Sequence, residues 1–177
     1  MALVLNGSGI TSANIADGTI VNADINSSAA IDGSKLTGAG KVLQVVQAVK
    51  TDTFSTTSGT TFVDVTGLSV SITPTSTSSK ILVYLSSNFS TIATGWAQAQ
   101  LTNSSNTELA VVHSRAETTM VVQPFTHIYL DSPASESEQT YKYRLAAETS
   151  GAVYVNRMQS TGFEVAVSTI TAMEIAG

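Results

Sequence analysis

The sequence predicts an all-β protein: an N-terminal extended or β-helical stem, then an antiparallel jelly-roll β-sandwich. Three observations carry that expectation. The chain of 177 residues holds 24 Ser and 25 Thr, with 42% hydrophobic and only 12% charged residues. Ser and Thr compete with the helical backbone for hydrogen bonds, whereas Thr and Val favour strands. Short apolar runs recur with period two, separated by Gly, Ser, Asn and Pro. No stretch of ten or more residues keeps the three-and-four spacing of an amphipathic helix. Low charge combined with ample hydrophobicity also argues against a wholly disordered chain.

Residues 1–40 differ from the rest. The first aromatic residue of the chain is Phe54. The large apolar positions before it include Ile10, Ile15, Ile20, Ile25, Ile31 and Leu36, five apart except for the step of six after Ile25. A flat strand would send residues five apart to opposite faces. A coil that turns once every few residues would return each of them to one inward side, the form of pentapeptide-repeat β-helices. So few repeats bury little surface in one chain. The expectation is therefore three chains wound around a shared apolar column, against an arm that orders only on a partner surface. These six residues are the candidate trimerisation and attachment positions. Gly38-Ala39-Gly40 breaks the rhythm and divides a stem, 1–40, from a head, 41–177.

In the head, nine or ten short strands are expected. An apolar run covers 43–49. Leu68-Ser69-Val70-Ser71-Ile72 alternates apolar against Ser, one face buried and one wet, until Pro74 ends it. The run 81–85 is nearly all apolar and predicts a strand buried on both faces. Trp96 to Leu101 alternates with Gln98 and Gln100. Further runs lie at 109–112, 120–122 and 125–130. Tyr141, Tyr143 and Leu145 alternate against Lys142 and Arg144. The last strands are expected at 153–155, 163–167 and 169–175.

Charge and cysteine exclude several functions. The net charge is −5 with no basic stripe, so no nucleic-acid partner is expected. There is no Cys, hence no disulfide framework, thiolate zinc site or Cys nucleophile. The apolar start at residues 1–5 lacks a basic flank and is not a signal peptide. No run approaches the roughly 20 apolar residues of a membrane span, so no membrane insertion is expected.

Catalytic signals are missing too. His113 and His127 lie within expected strands, and two His do not close a metal site, so no metal or cofactor is expected. Three copies of one His on a trimer axis would be the exception. There is no Gly-x-Ser-x-Gly elbow, no phosphate-binding loop, and Glu136 and Glu138 sit two apart in a polar turn. The chain is not expected to be an enzyme. Trp96, preceded by Gly95, is the candidate for stacking on a sugar ring, with Tyr84, Tyr129, Tyr141, Tyr143 and Tyr154 as further aromatics. Core or interface is the ordinary role of strand aromatics.

The run Gly9-Ile10-Thr11-Ser12-Ala13-Asn14-Ile15-Ala16-Asp17-Gly18-Thr19-Ile20-Val21-Asn22-Ala23-Asp24-Ile25 resembles the start of virion proteins of tailed bacteriophages, marine and cyanobacterial phages above all. Those are commonly called tail fibre proteins. Asp64-Val65-Thr66-Gly67-Leu68-Ser69-Val70-Ser71-Ile72-Thr73-Pro74, then Ser79-Lys80-Ile81-Leu82-Val83, resembles their C-terminal domain, as does Ile170-Thr171-Ala172-Met173-Glu174-Ile175. The resemblance implies a homotrimer on the virion surface, with heads similar to the C1q and tumour-necrosis-factor type. The stem would attach to other virion proteins and the head would face the host surface, glycan included. There is no extended shaft: 40 residues reach roughly 130 Å at full stretch. A capsid decoration, or cement, protein is therefore the alternative.

Overall fold

The computed structural model describes residues 42–91, 95–116, 122–147, 151–158 and 166–177. The chain divides into two units, Met1–Ala39 and Gly40–Gly177, and every described residue lies in the second. These residues form ten strands, and no helix occurs among them. The strands are β1 (Val42–Lys50), β2 (Phe54–Thr56), β3 (Val63–Ile72), β4 (Lys80–Thr91) and β5 (Gly95–Asn103), followed by β6 (Glu108–Ala116), β7 (Val122–Asp131), β8 (Gln139–Ala147), β9 (Val153–Val155) and β10 (Ser168–Ile175).

Set aside the two three-residue strands, β2 and β9, and the pairing is nested. The first long strand pairs the last, β1 with β10. The second pairs the seventh, β3 with β8. The third pairs the sixth, β4 with β7, and the middle two, β5 and β6, form a hairpin. All four pairs are antiparallel. Cross-pairs β10·β4 and β8·β5 then join them into sheet 1, with the order β1-β10-β4-β7, and sheet 2, with the order β3-β8-β5-β6. A long hairpin wrapped in this way into two sheets is a jelly roll. β9 pairs Phe89–Thr91 of β4 and carries β2 on its other side.

Period-two alternation builds the core between the sheets. β3 turns Val65, Leu68, Val70 and Ile72 inward; β4 turns Ile81, Val83, Leu85 and Phe89. β5 contributes the small Ala97 and Ala99 with Leu101, which leaves room for Tyr141 and Tyr143 of β8. Phe125 of β7 stacks on Tyr143 with ring centroids 5.5 Å apart and meets Phe89 edge-on at 6.4 Å. Each fully buried Leu, Ile or Val contributes about 1.5–3 kcal/mol.

Several boundaries differ from the sequence reading, each for a local reason. β3 begins at Val63, before the clean alternation, because its register with β8 shifts between Asp64 and Ser69. Gly67, at φ 85°, sits in that irregularity and lets Val65 and Leu68, three apart, both point inward. The apolar runs expected at 120–122 and 125–130 share β7, which passes through Pro124. Proline is tolerated because β7 lies at the edge of sheet 1. Met120 and Val121 lie outside the described residues, as does most of the expected strand 163–167. β2 is too short to have shown a period.

The run 81–85 is not buried on both faces. Ile81, Val83 and Leu85 are buried, but Tyr84 is 38% exposed. Its apolar outward side belongs to a sheet face that no described part of the chain covers.

Candidate interaction surface

The register of sheet 1 fixes what its outward face presents. Val45 pairs Met173, Met173 pairs Leu82, and Leu82 pairs Leu130. That row of four apolar side chains crosses four strands. The next outward row is Gln47, Thr171, Tyr84 and Ile128, and the one after is Val49, Thr169, Ser86 and Thr126. Ile128 is 66% exposed, Val45 55%, Val49 52% and Leu130 50%. Gln47 Nε2 donates to Thr171 Oγ1 at 2.8 Å, so the polar pair in the middle of the face is satisfied within it. Among the described residues the charges on this face lie at its margins, Lys80 at the corner beside Ile175 and Arg157 over Tyr154 at the β9 end. Hydrophobic residues scattered singly on a surface are ordinary; a contiguous set in register is not.

The outward face of sheet 2 has the opposite character. Asp64 receives Arg144 Nε at 2.7 Å and Lys142 Nζ at 3.2 Å. Arg144 Nη2 also donates to the Phe62 carbonyl oxygen at 2.9 Å. Ser71 and Thr140 share a hydroxyl hydrogen bond at 2.8 Å, and Gln100 Nε2 donates to Glu108 at 2.6 Å. This is a solvated face whose charges pair among themselves.

The residues that carry the sequence resemblance in the head meet at one end of the fold. The 64–74 run is β3 and the turn after it, 79–83 opens β4, and 170–175 is most of β10. They converge on Glu174, whose side chain is fully buried. Gln44 Nε2 donates to Glu174 Oε2 and to the Thr73 carbonyl oxygen, both at 2.6 Å. The Thr75 backbone N–H and its hydroxyl both donate to Glu174 Oε1 at 2.7 Å. Burial pushes this carboxyl up, but the neighbouring Ser79 and the donors on Gln44 and Thr75 outweigh it and hold it at about 2. The ionised Glu174 thus ties β1, the 73–79 loop and β10 together. Its role is structural.

The six stem positions, Ile10, Ile15, Ile20, Ile25, Ile31 and Leu36, lie outside the described residues. Trp96 is on β5, 43% exposed on the outward side of sheet 2. The tyrosines do not gather around it. Tyr141 and Tyr143 are core, Tyr129 packs against the core, Tyr84 faces out from sheet 1, and Tyr154 stacks under Arg157 at 4.2 Å. His113 faces out from sheet 2, whereas His127 points inward from sheet 1 beside Phe125, with centroids 4.7 Å apart. Burial pushes the His127 imidazole below its ordinary value. The two do not converge, and among the described residues no group of three His, Cys, Asp or Glu could hold a metal. Glu136 and Glu138 are exposed in the loop between β7 and β8. No helix among the described residues is long and apolar enough to cross a membrane.

Sequence reading missed the outward face of sheet 1 and the Glu174 knot. The first was signalled by Leu82 and Tyr84 in an otherwise alternating strand. Gln44, Thr75 and Glu174 are too far apart in sequence to have signalled the second.

No protein-family model matches the chain, and no curated protein matches its sequence. Among solved structures, similarity is found to capsid protein VP2 of infectious bursal disease virus. Its subviral particle matches at a TM-score of 0.38 and 14% identity over 76% of this chain. The structure of the Gx strain of that virus matches at 0.35 and 15% over 76%, and its T13 viral particle at 0.38 and 13% over 78%. The chain spans little more than a third of the length of those structures: 37%, 37% and 36%. The jelly roll itself rests on the strand pairing described above.

Proposed function

We propose that this protein is a non-catalytic structural component of a tailed-phage particle. In this reading three chains assemble, residues 1–40 attach the trimer to other virion proteins, and the jelly-roll heads project as a tail fibre or tail-tip element that meets the host surface. One observation carries the reading. Of the stretches of the head that resemble phage virion proteins, 79–83 and 170–175 pair through Ile81 and Glu174, and 64–74 ends at Thr73, whose carbonyl oxygen shares the Gln44 donor with Glu174. This proximity supports the reading, and the run Gly9–Ile25 extends the resemblance into the segment proposed as the stem.

The second reading is a capsid decoration protein, in which residues 1–40 lie on the shell. Quantitative mass spectrometry of purified particles separates the two: a few dozen copies per particle mean a fibre, hundreds mean a decoration, and absence overturns both. Particles lacking the protein should fail to adsorb if it is a fibre. Trp96 is the residue proposed to meet host glycan, and Trp96→Ala should then lower binding to host cells without changing the particle's protein content. Hydrolysis of host polysaccharide by the purified protein would contradict the non-catalytic reading.

A further inference from the structure

The outward face of sheet 1 is dimensioned and composed like one half of a contact. It is four strands wide, about 19 Å at ordinary strand spacing, and β10 and β4 pair over seven residues, about 24 Å. Its plan area is about 450 Å², and the accessible area of a face relieved by side chains exceeds its plan. That brings it toward the roughly 600 Å² per partner at the lower end of specific interfaces.

We infer that this face is where copies of this chain pack against one another, gathered about the axis of the assembly. The inference deepens the multi-copy reading given above and rests on it. The choice of a second copy as the occupant follows from chemistry. Between Lys80 at one corner and Arg157 at the β9 end, the face offers a partner Val45, Leu82, Tyr84, Ile128, Leu130, Met173 and neutral hydroxyl or amide groups. A partner bringing charges would bury them without counter-charges, which costs several kcal/mol each. The same face of another copy brings none across its four central strands, where its Gln47–Thr171 pair is already satisfied. In a three-fold assembly each copy's face meets a neighbour around the axis rather than its own mirror, so its apolar rows need only an uncharged neighbour beside them. The outward face of sheet 2 carries Asp64, Lys142 and Arg144 in its middle and fails the condition of being uncharged.

The test uses the full chain. Ile128→Glu is compared with Ser69→Glu, which sits on the outward face of sheet 2, by light scattering, with circular dichroism and thermal melts to establish folding. The chain has no Cys, so Ile128→Cys and Ser69→Cys each supply a single thiol for maleimide labelling. The inference predicts that the parent chain and Ser69→Glu assemble, that Ile128→Glu falls to the mass of one folded chain, and that Ile128→Cys labels several-fold more slowly than Ser69→Cys. If Ile128→Glu does not fold, the labelling decides alone. An assembled parent in which Ile128→Cys labels as fast as Ser69→Cys overturns the inference and leaves the multi-copy reading standing. A monomeric parent overturns both, and protection of Ile128→Cys in that monomer would assign the face to residues 1–41 of the same chain.

Discussion

On sheet 1, Val45, Met173, Leu82 and Leu130 cross four strands without a charge; on sheet 2, Asp64 sits between Lys142 and Arg144. The inward faces of the two sheets share one pattern, burial at every second position with most of the buried residues apolar. The outward faces are not needed to close the core, so their composition records what each one meets. One pairs its charges in water, whereas the other leaves Val45, Ile128 and Leu130 exposed among the described residues.

Exchanging the characters of the two faces should produce the largest effect. Ile128→Glu should abolish assembly outright, whereas Ser69→Glu should leave the mass unchanged, with both read by light scattering. The next test weakens sheet 1 without touching its outward face. Asn156, at φ 59°, donates through Nδ2 to the carbonyl oxygens of Lys50 and Asp52 and accepts from Ser168 Oγ at 2.6 Å. It fills the seam between β9 and β10 beside β4. Asn156→Ala leaves buried carbonyls unsatisfied and should cost about 1–3 kcal/mol in a urea titration, while Ile128→Cys stays protected from labelling in the remaining folded protein.

Glu174 gives the comparison a pH axis, because its knot joins β1 and β10 of sheet 1 to the loop after β3 of sheet 2. Its folded pKa lies below the ordinary 4.5, at about 2. Its contribution to stability is therefore fully present above about pH 4.5 and is lost as pH falls toward 2. Melting temperature should drop across that window, and Glu174→Gln should flatten the drop. On sheet 2, Gly67→Ala should cost about 1 kcal/mol, through the positive φ rather than space, since the nearest atom to an added Cβ is Lys50 Nζ at 3.8 Å. The smallest effect belongs to Asp64→Ala. The pairs it breaks are exposed, so the change should stay below about 1 kcal/mol and shrink further in high salt.

Much of the fold was legible. Ser69 and Ser71 set against Leu68, Val70 and Ile72 gave the sided strand β3, and Tyr141, Tyr143 and Leu145 against Lys142 and Arg144 gave β8. The limits were physical. A bulge at Gly67 adds a residue and hides the period before it. An edge position lets Pro124 sit inside a strand. The misread run 81–85 is the most instructive: Leu82 and Tyr84 announce that their side of the strand avoids water, but a sequence does not say whether the same chain or another provides the cover. The Glu174 knot was illegible because Gln44, Thr75 and Glu174 are brought together only by the nested pairing of β1 with β10 and the turn after β3.

Assembly of identical chains, as proposed for this protein, is tested most directly by the mass of the 177-residue chain in solution. Light scattering at micromolar concentration should give about three times the 18.4 kDa of one chain. A mass of 18.4 kDa that persists across the concentration series would contradict it.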